Sequence, residues 1–156
     1  MIVIGQIGPD VEPAGLPAKP CQSRPGEGPE MILIEPGPFR MGSPQADAEA
    51  DAAERPQHPV TIVRPFAIAR CETTVGEFRR FVAETGYRTD AERGDGCYTL
   101  NEAGDDSEQR AGSSWRGPGF PQTDAHPVVC VSHRDARAYA RWLSLRTGAD
   151  YRLPTE

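Results

Sequence analysis

An irregular α+β domain is the fold class this sequence predicts, and three observations carry the prediction. Two stretches show helical apolar periodicity behind capping residues, several short apolar runs are bounded by glycine and proline, and long polar segments lie between them. The chain has 156 residues, enough for about one domain with a core of its own. Glycine and proline, 16 of each, favour turns over long regular elements. No internal repeat is visible.

Residues 1–29 carry six prolines and five glycines, a density that rules out a helix and disfavours a central strand. They read as a linker or extended arm, with an edge strand within residues 2–7. Met31-Ile32-Leu33-Ile34 opens the compact part, and Phe39-Arg40-Met41 follows a Glu35-Pro36-Gly37-Pro38 turn, which predicts a hairpin with Phe39 and Met41 on one face. Residues 45–57 carry Asp47, Glu49, Asp51 and Glu54 against Arg55 and read as a solvated loop; their spacing matches no calcium loop. Val60 to Ala69 reads as strand, with Pro65 predicting an edge position or a kink.

Thr74 and Glu77 have capping-box spacing and start the first helix. Its apolar stripe is Val75, Phe78, Phe81 and Val82, and Gly86 stands where a left-handed residue ends a helix. Residues 87–125 show little periodicity and read as a long acidic loop pinned to the core by Trp115 and Phe120. Val128, Val129 and Val131 suggest a strand, with Cys130 among them as a small buried hydrophobe. Ser132 and Asp135 repeat the capping-box spacing, and an aspartate in the first turn faces the positive end of the helix dipole. Ala136, Tyr139, Ala140 and Leu143 form the second stripe, bordered by Trp142, with Arg134, Arg137 and Arg141 outside and Gly148 as the stop. Tyr151 and Leu153 lead into a new element, with Thr155 as a cap.

A formal net charge of −6 argues against a basic nucleic-acid surface. No apolar run approaches the roughly 18 residues of a membrane span. Met1-Ile2-Val3-Ile4 lacks the basic start of a signal peptide, so none is visible; the compartment stays open, with the cytoplasm preferred. Cys21, Cys71, Cys97 and Cys130 are spaced without any close pair, so free buried thiols and any of three pairings all remain open. His126, His133 and Cys130 lack the regular spacing of a zinc site, and no phosphate loop or Gly-x-Ser-x-Gly elbow is present. No catalytic, cofactor-binding or metal-ligating residue is nominated from spacing alone.

An ordered series of motifs nevertheless resembles one family. It runs from Met31–Ser43 through His58-Pro59-Val60, Phe66-Ala67-Ile68, Glu72–Tyr87 and Thr89–Glu92. It continues with Trp115-Arg116, Pro118-Gly119-Phe120, His126-Pro127-Val128, Val131–Tyr139, Trp142 and Tyr151–Glu156. In combination these are similar to the N-terminal part of the formylglycine-generating enzyme, or sulfatase-modifying factor, family. The motif residues this singles out are Trp115, His126, Ser132, Asp135, Tyr139, Trp142, Arg152 and Glu156.

The resemblance implies a C-type-lectin-like fold with little regular secondary structure, incomplete at the C-terminus. It places residues 30–156 in the domain and residues 1–29 in the arm. The family's oxidoreductases convert a sulfatase peptide cysteine to Cα-formylglycine, using oxygen and copper held by two cysteines; soft paired thiolates suit copper(I). Those cysteines and the family's calcium sites belong to its second half, past the position of Glu156. The resemblance therefore implies no cofactor within these residues, copper and calcium in a complete domain, and leaves open whether the chain is itself an enzyme. The implied partners are a cysteine-containing peptide or protein and the C-terminal half, with neither nucleic acid nor membrane. The alternative is a non-catalytic peptide- or ligand-binding or regulatory domain of the same family. His133 stands where the family usually has tryptophan, which predicts a looser core at that position, and Val75 where asparagine is common.

Overall fold

The computed structural model describes residues 4–5, 12–13, 28–100 and 106–155. In chain order the strands and helices are β1 (Ile4–Gly5), β2 (Glu12–Pro13), β3 (Met31–Ile34), β4 (Gly37–Met41), β5 (His58–Ile62) and β6 (Phe66–Ala69). They continue with α1 (Val75–Thr85), α2 (Asp90–Arg93), β7 (Cys97–Leu100), β8 (Ser107–Arg110), α3 (His133–Thr147) and β9 (Tyr151–Arg152). Short strands, three α-helices among the described residues and much irregular chain make this the mixed α+β architecture that the glycine and proline content predicts.

Among the described residues the main sheet has five strands in the order β2-β3-β6-β1-β9. Its neighbours are antiparallel except for β2 and β3. The expected hairpin of Met31–Ile34 with Phe39–Met41 does not form. β3 pairs with β6, while β4 pairs with β5 in a separate ribbon that sets Phe39 opposite Val60. A short apolar run specifies which face it buries but not which strand it pairs with.

Of the edge position or kink expected from Pro65, the chain shows the break, because β5 ends at Ile62 and β6 starts at Phe66 in a different sheet, and not the edge, because β6 lies between β3 and β1. Pro65 precedes the strand's first residue, so its missing N–H leaves the ladder intact. Ala67 and Ala69 are buried on β6, whereas Phe66 and Ile68 are half-buried. The edge strand expected in residues 2–7 is interior as well: Ile4–Gly5 pairs with β6 on one side and β9 on the other. The rest of the expected arm, apart from Glu12–Pro13 and residues 28–29, lies outside the described residues.

Both long helices form as their caps predict. Thr74 accepts from the Glu77 amide, and the Glu77 carboxylate accepts from the Thr74 amide at 2.7 Å. Ser132 and Asp135 repeat this at the start of α3. Gly86 and Gly148 end the two helices in the left-handed conformation that glycine adopts without steric cost. The stripes meet in one aromatic core. Phe78 packs edge-on to Trp115 with centroids 5.3 Å apart, and Phe81 meets Tyr139 at a right angle at 5.8 Å. His133 is exposed at the first turn of α3, away from the described core, so the looser core expected there is not seen among the described residues.

Residues 87–125 hold more structure than their lack of periodicity suggests: α2 and the antiparallel β7–β8 ribbon. Trp115 is 1% exposed and pins this segment, as expected, but Phe120 is 49% exposed. Pro118 is buried in its place, and its carbonyl accepts from the Thr99 hydroxyl at 2.7 Å.

The valine run before α3 is not a strand. One bridge joins Pro127 to Thr74, and the Val128 amide donates to the Thr73 carbonyl at 2.9 Å. Cys130 then turns into the left-handed region with φ 58° and is bonded to Cys97. It is therefore a cross-link and not the free buried hydrophobe suggested by its valine neighbours. Cys71 is disulfide-bonded too.

Candidate functional site

The most connected polar cluster lies where the starts of α2 and α3 meet. Asp135 is fully buried, and its carboxylate satisfies donors from three elements. Oδ2 accepts from the Ser132 amide at 2.8 Å, closing the α3 cap. Oδ1 accepts from the Tyr87 hydroxyl at 2.9 Å and from the Asp90 amide, the first of α2, at 3.1 Å. A carboxylate facing the N–H groups of two helix starts is stabilised by both sets of backbone dipoles.

Asp90 answers in the other direction. The Ser132 hydroxyl donates to its Oδ2 at 2.7 Å, while Arg93 lies at 2.8 Å and Arg134 at 3.6 Å from Oδ1. The Ser132 bond, helped by the two guanidinium groups, holds the Asp90 carboxyl below its ordinary range. Burial raises the pKa of the Tyr87 hydroxyl, and its bond to Asp135 raises it further.

Glu92 forms the adjoining half of the cluster. Oε2 accepts from the Thr89 amide and hydroxyl at 2.9 and 3.0 Å and from Trp115 Nε1 at 3.3 Å. Arg116 Nε donates to Oε1 at 3.0 Å, and its guanidinium lies 4.3 Å from the Trp115 ring centroid. Burial alone would raise the Glu92 pKa, but the donors from Thr89, Arg116 and Trp115 outweigh it and hold the carboxyl below its usual range. Thr89 is itself fully buried.

Five motif residues therefore join one framework: Trp115 through Glu92, Ser132 and Asp135 through Asp90, and Tyr139 and Trp142 through the aromatic core. Tyr139 lies 5.5 Å from Trp142 between ring centroids, and burial holds its phenol protonated far into the alkaline range. Trp142 donates from Nε1 to Glu84 at 3.1 Å, and Arg146 pairs with the same carboxylate. Beside these rings a shallow depression is floored by Tyr139, Trp142 and Leu143 and rimmed by Glu77, Arg80 and Arg146.

The remaining motif residues stand apart. His126 is exposed; its Nδ1 accepts from the Thr123 amide at 2.9 Å, and its carbonyl accepts from the Val75 amide at 2.8 Å. That carbonyl ties the segment before α3 to the start of α1, a backbone role. Arg152 is exposed on β9, where it pairs with Ile4 of β1, and its guanidinium donates to the Leu153 carbonyl. Glu156 lies outside the described residues.

Tyr87, Thr89, Asp90 and Glu92 belong to the cluster without having been nominated as site residues. Thr89 and Glu92 show the same three-residue spacing as Thr74 and Glu77, a signal present in the sequence. The Ser132 hydroxyl is committed to Asp90 and to the Asp135 amide, so it is a cap and not a nucleophile. Chemically, the arrangement fixes two helix starts and a tryptophan loop in one geometry.

Comparison with known proteins places this framework in context. Residues 17–156 match the sulfatase-modifying factor enzyme 1-like domain. The chain is 37% identical over 145 residues to a formylglycine-generating enzyme of Thermomonospora curvata, covering 81% of this chain and 46% of that protein. It is 34% identical over 151 residues to a Bos taurus protein named inactive C-alpha-formylglycine-generating enzyme 2, covering 84% of this chain and 47% of the relative. The solved structure of PvdO from Pseudomonas aeruginosa superposes with a TM-score of 0.63 at 32% identity, over 88% of this chain and 48% of PvdO. The chain thus spans about half the length of the relatives it matches.

Proposed function

This chain belongs to the family of sulfatase-modifying factor enzyme 1-like domains, and from that premise we propose that it supplies the N-terminal framework of an oxidase-type domain acting on a cysteine in a peptide or protein. The observation that carries this reading is the ordered match over residues 17–156, whose motif side chains build the Asp135–Asp90–Glu92–Trp115 cluster. In the full reaction oxygen would be the oxidant, copper(I) held by two thiolates would activate it, and a thiol reductant would supply two further electrons; the substrate cysteine would become Cα-formylglycine, its sulfur leaving as sulfide and the oxygen ending in the aldehyde and water.

The described residues do not fit the copper. Copper(I) of this family calls for two thiolates. Cys97 and Cys130 are bonded to each other, and Cys71 is also in a disulfide, so no thiolate remains among the described cysteines. The paired thiolates, and any calcium site, are assigned to residues outside this chain, and the C-terminal half of the domain is the partner that would carry them. The part of these 156 residues is to hold the shape of the domain against which that half packs.

A second reading is favoured by the same committed cysteines together with the similarity to a relative named inactive: a domain that binds a peptide or another ligand without oxidising it. One experiment separates the two. The natural full-length protein is incubated with a cysteine-containing sulfatase-type peptide, oxygen, a thiol reductant and copper(I), and the peptide is read by mass spectrometry and aldehyde labelling. Formation of the aldehyde supports the oxidase; peptide binding without conversion supports the binding domain. Titration of copper(I) into residues 1–156 alone is expected to show no tight stoichiometric thiolate binding, and such binding would sink the assignment of the copper site elsewhere.

A further inference from the structure

We propose that the Cys97–Cys130 disulfide is a redox-operated latch that holds the β7–β8 ribbon against the start of α3. Among the described residues the ribbon has little else to hold it. Its two strands pair with each other and with no other described strand. Tyr98 is 70% and Leu100 60% exposed, so the ribbon buries little apolar surface. Of its strand residues, Thr99 is buried, bonded through its hydroxyl to the Pro118 carbonyl. Elements with few buried contacts open locally at far lower free energy than the core.

The anchored end is different in kind. Cys130 lies two residues before the Ser132 cap, between Val128, which is buried, and Val131, which packs on the core. Its φ of 58° is a conformation that a non-glycine residue adopts at a steric cost. The bond to Cys97 spans 33 residues, and its closed ring includes β8 and the Trp115 loop. Breaking it frees the ribbon and removes the cross-link at the left-handed Cys130 beside the helix start.

The chemistry balances with a dithiol as reductant. Its thiolate attacks one sulfur, the Cys97–Cys130 bond breaks, and a mixed disulfide forms. The second thiol resolves that intermediate, so two electrons and two protons pass to Cys97 and Cys130 while the dithiol becomes a disulfide. The latch is closed in an oxidising compartment and opens in a reducing one.

Hydrogen exchange on the full chain tests it, in the oxidised form and after treatment with a small dithiol, with maleimide mass labelling to count thiols at each cysteine. Opening is expected to speed exchange at residues 97–100 and 107–110 by about tenfold or more, while α1 changes by less than about twofold. The Cys97→Ala/Cys130→Ala variant is expected to show the open pattern with or without dithiol. Free thiols at both positions in protein matured under oxidising conditions would overturn the proposal. So would unchanged ribbon exchange after reduction, or a loss of protection that includes α1.

Discussion

Asp135 caps the helix that Asp90 begins, and Asp90 holds the residue that caps the helix of Asp135. The Asp90 amide donates to Asp135 Oδ1 at 3.1 Å, and Asp90 Oδ2 receives the hydroxyl of Ser132, the residue that caps Asp135's own helix, at 2.7 Å. Neither contact is local in sequence, since the two aspartates are 45 residues apart. Each helix start therefore depends on the other, and the Trp115 loop joins them through Glu92.

Asp135→Ala is expected to destabilise the chain by about 3 kcal/mol, because it leaves the Ser132 amide, the Asp90 amide and the Tyr87 hydroxyl without their buried acceptor. Asp135→Asn keeps one oxygen and is expected to cost roughly half as much. Urea unfolding of both variants measures the difference, and equal losses would show that the oxygen asparagine retains contributes nothing. In a double-mutant cycle with Tyr87→Phe, a non-zero coupling energy is expected, since both changes remove one shared bond.

The acid limb of stability is expected to depend on Glu92 and Asp90. Both carboxyls are held below their ordinary values in the folded chain, so the unfolded chain binds their protons first as pH falls. Their contribution is present above the unfolded values, 4.5 for Glu92 and 3.8 for Asp90, and is lost as pH drops through the lower folded values. Glu92→Gln has no proton to take up there. Its stability deficit against the parent should shrink steadily as pH falls below about 4.5. A deficit constant across that range, measured by denaturant midpoints at each pH, would remove Glu92 from the acid response.

Trp115 combines two roles that substitution separates. Trp115→Ala is expected to cost about 3–5 kcal/mol, through the cavity it leaves against Phe78. Trp115→Phe keeps most of the ring contact and loses the Nε1 bond to Glu92, an expected cost of about 1–2 kcal/mol. Thermal unfolding followed by near-ultraviolet circular dichroism reads both variants against the parent. An alanine cost no greater than the phenylalanine cost would mean that the site collapses to fill the gap.

What was legible in the sequence was local or periodic. The caps at Thr74 and Ser132 rest on partners three residues away, and the stripes of α1 and α3 on helical spacing, so both could be read along the chain. The α2 cap at Thr89 had the same signature, but it preceded only four helical residues, too few to show a stripe. Strand partners were not legible, because Met31–Ile34 is as apolar toward β6 as toward any other strand. Nor was the Cys97–Cys130 bond, since four cysteines allow three pairings and the run around Cys130 reads as a strand. The cluster itself was half visible: Asp135 as a cap could be read, but its bonds to Tyr87 and Asp90 depend on how the chain folds back.

The left-handed turn at Cys130 yields a prediction in which the cross-link is absent. In a Cys97→Ala background, Cys130→Gly and Cys130→Ala both lack the disulfide and differ at the turn. Glycine adopts φ near 58° without a Cβ clash, whereas alanine carries a cost of about 1–2 kcal/mol there. If the turn survives without its cross-link, Cys130→Gly is expected to be the more stable by about 1 kcal/mol, somewhat less than that cost because glycine gains more freedom on unfolding. Denaturant unfolding of the two double variants measures this. If alanine is as stable as glycine, the backbone leaves the left-handed region once the bond is gone, and the disulfide itself enforces the turn before Ser132.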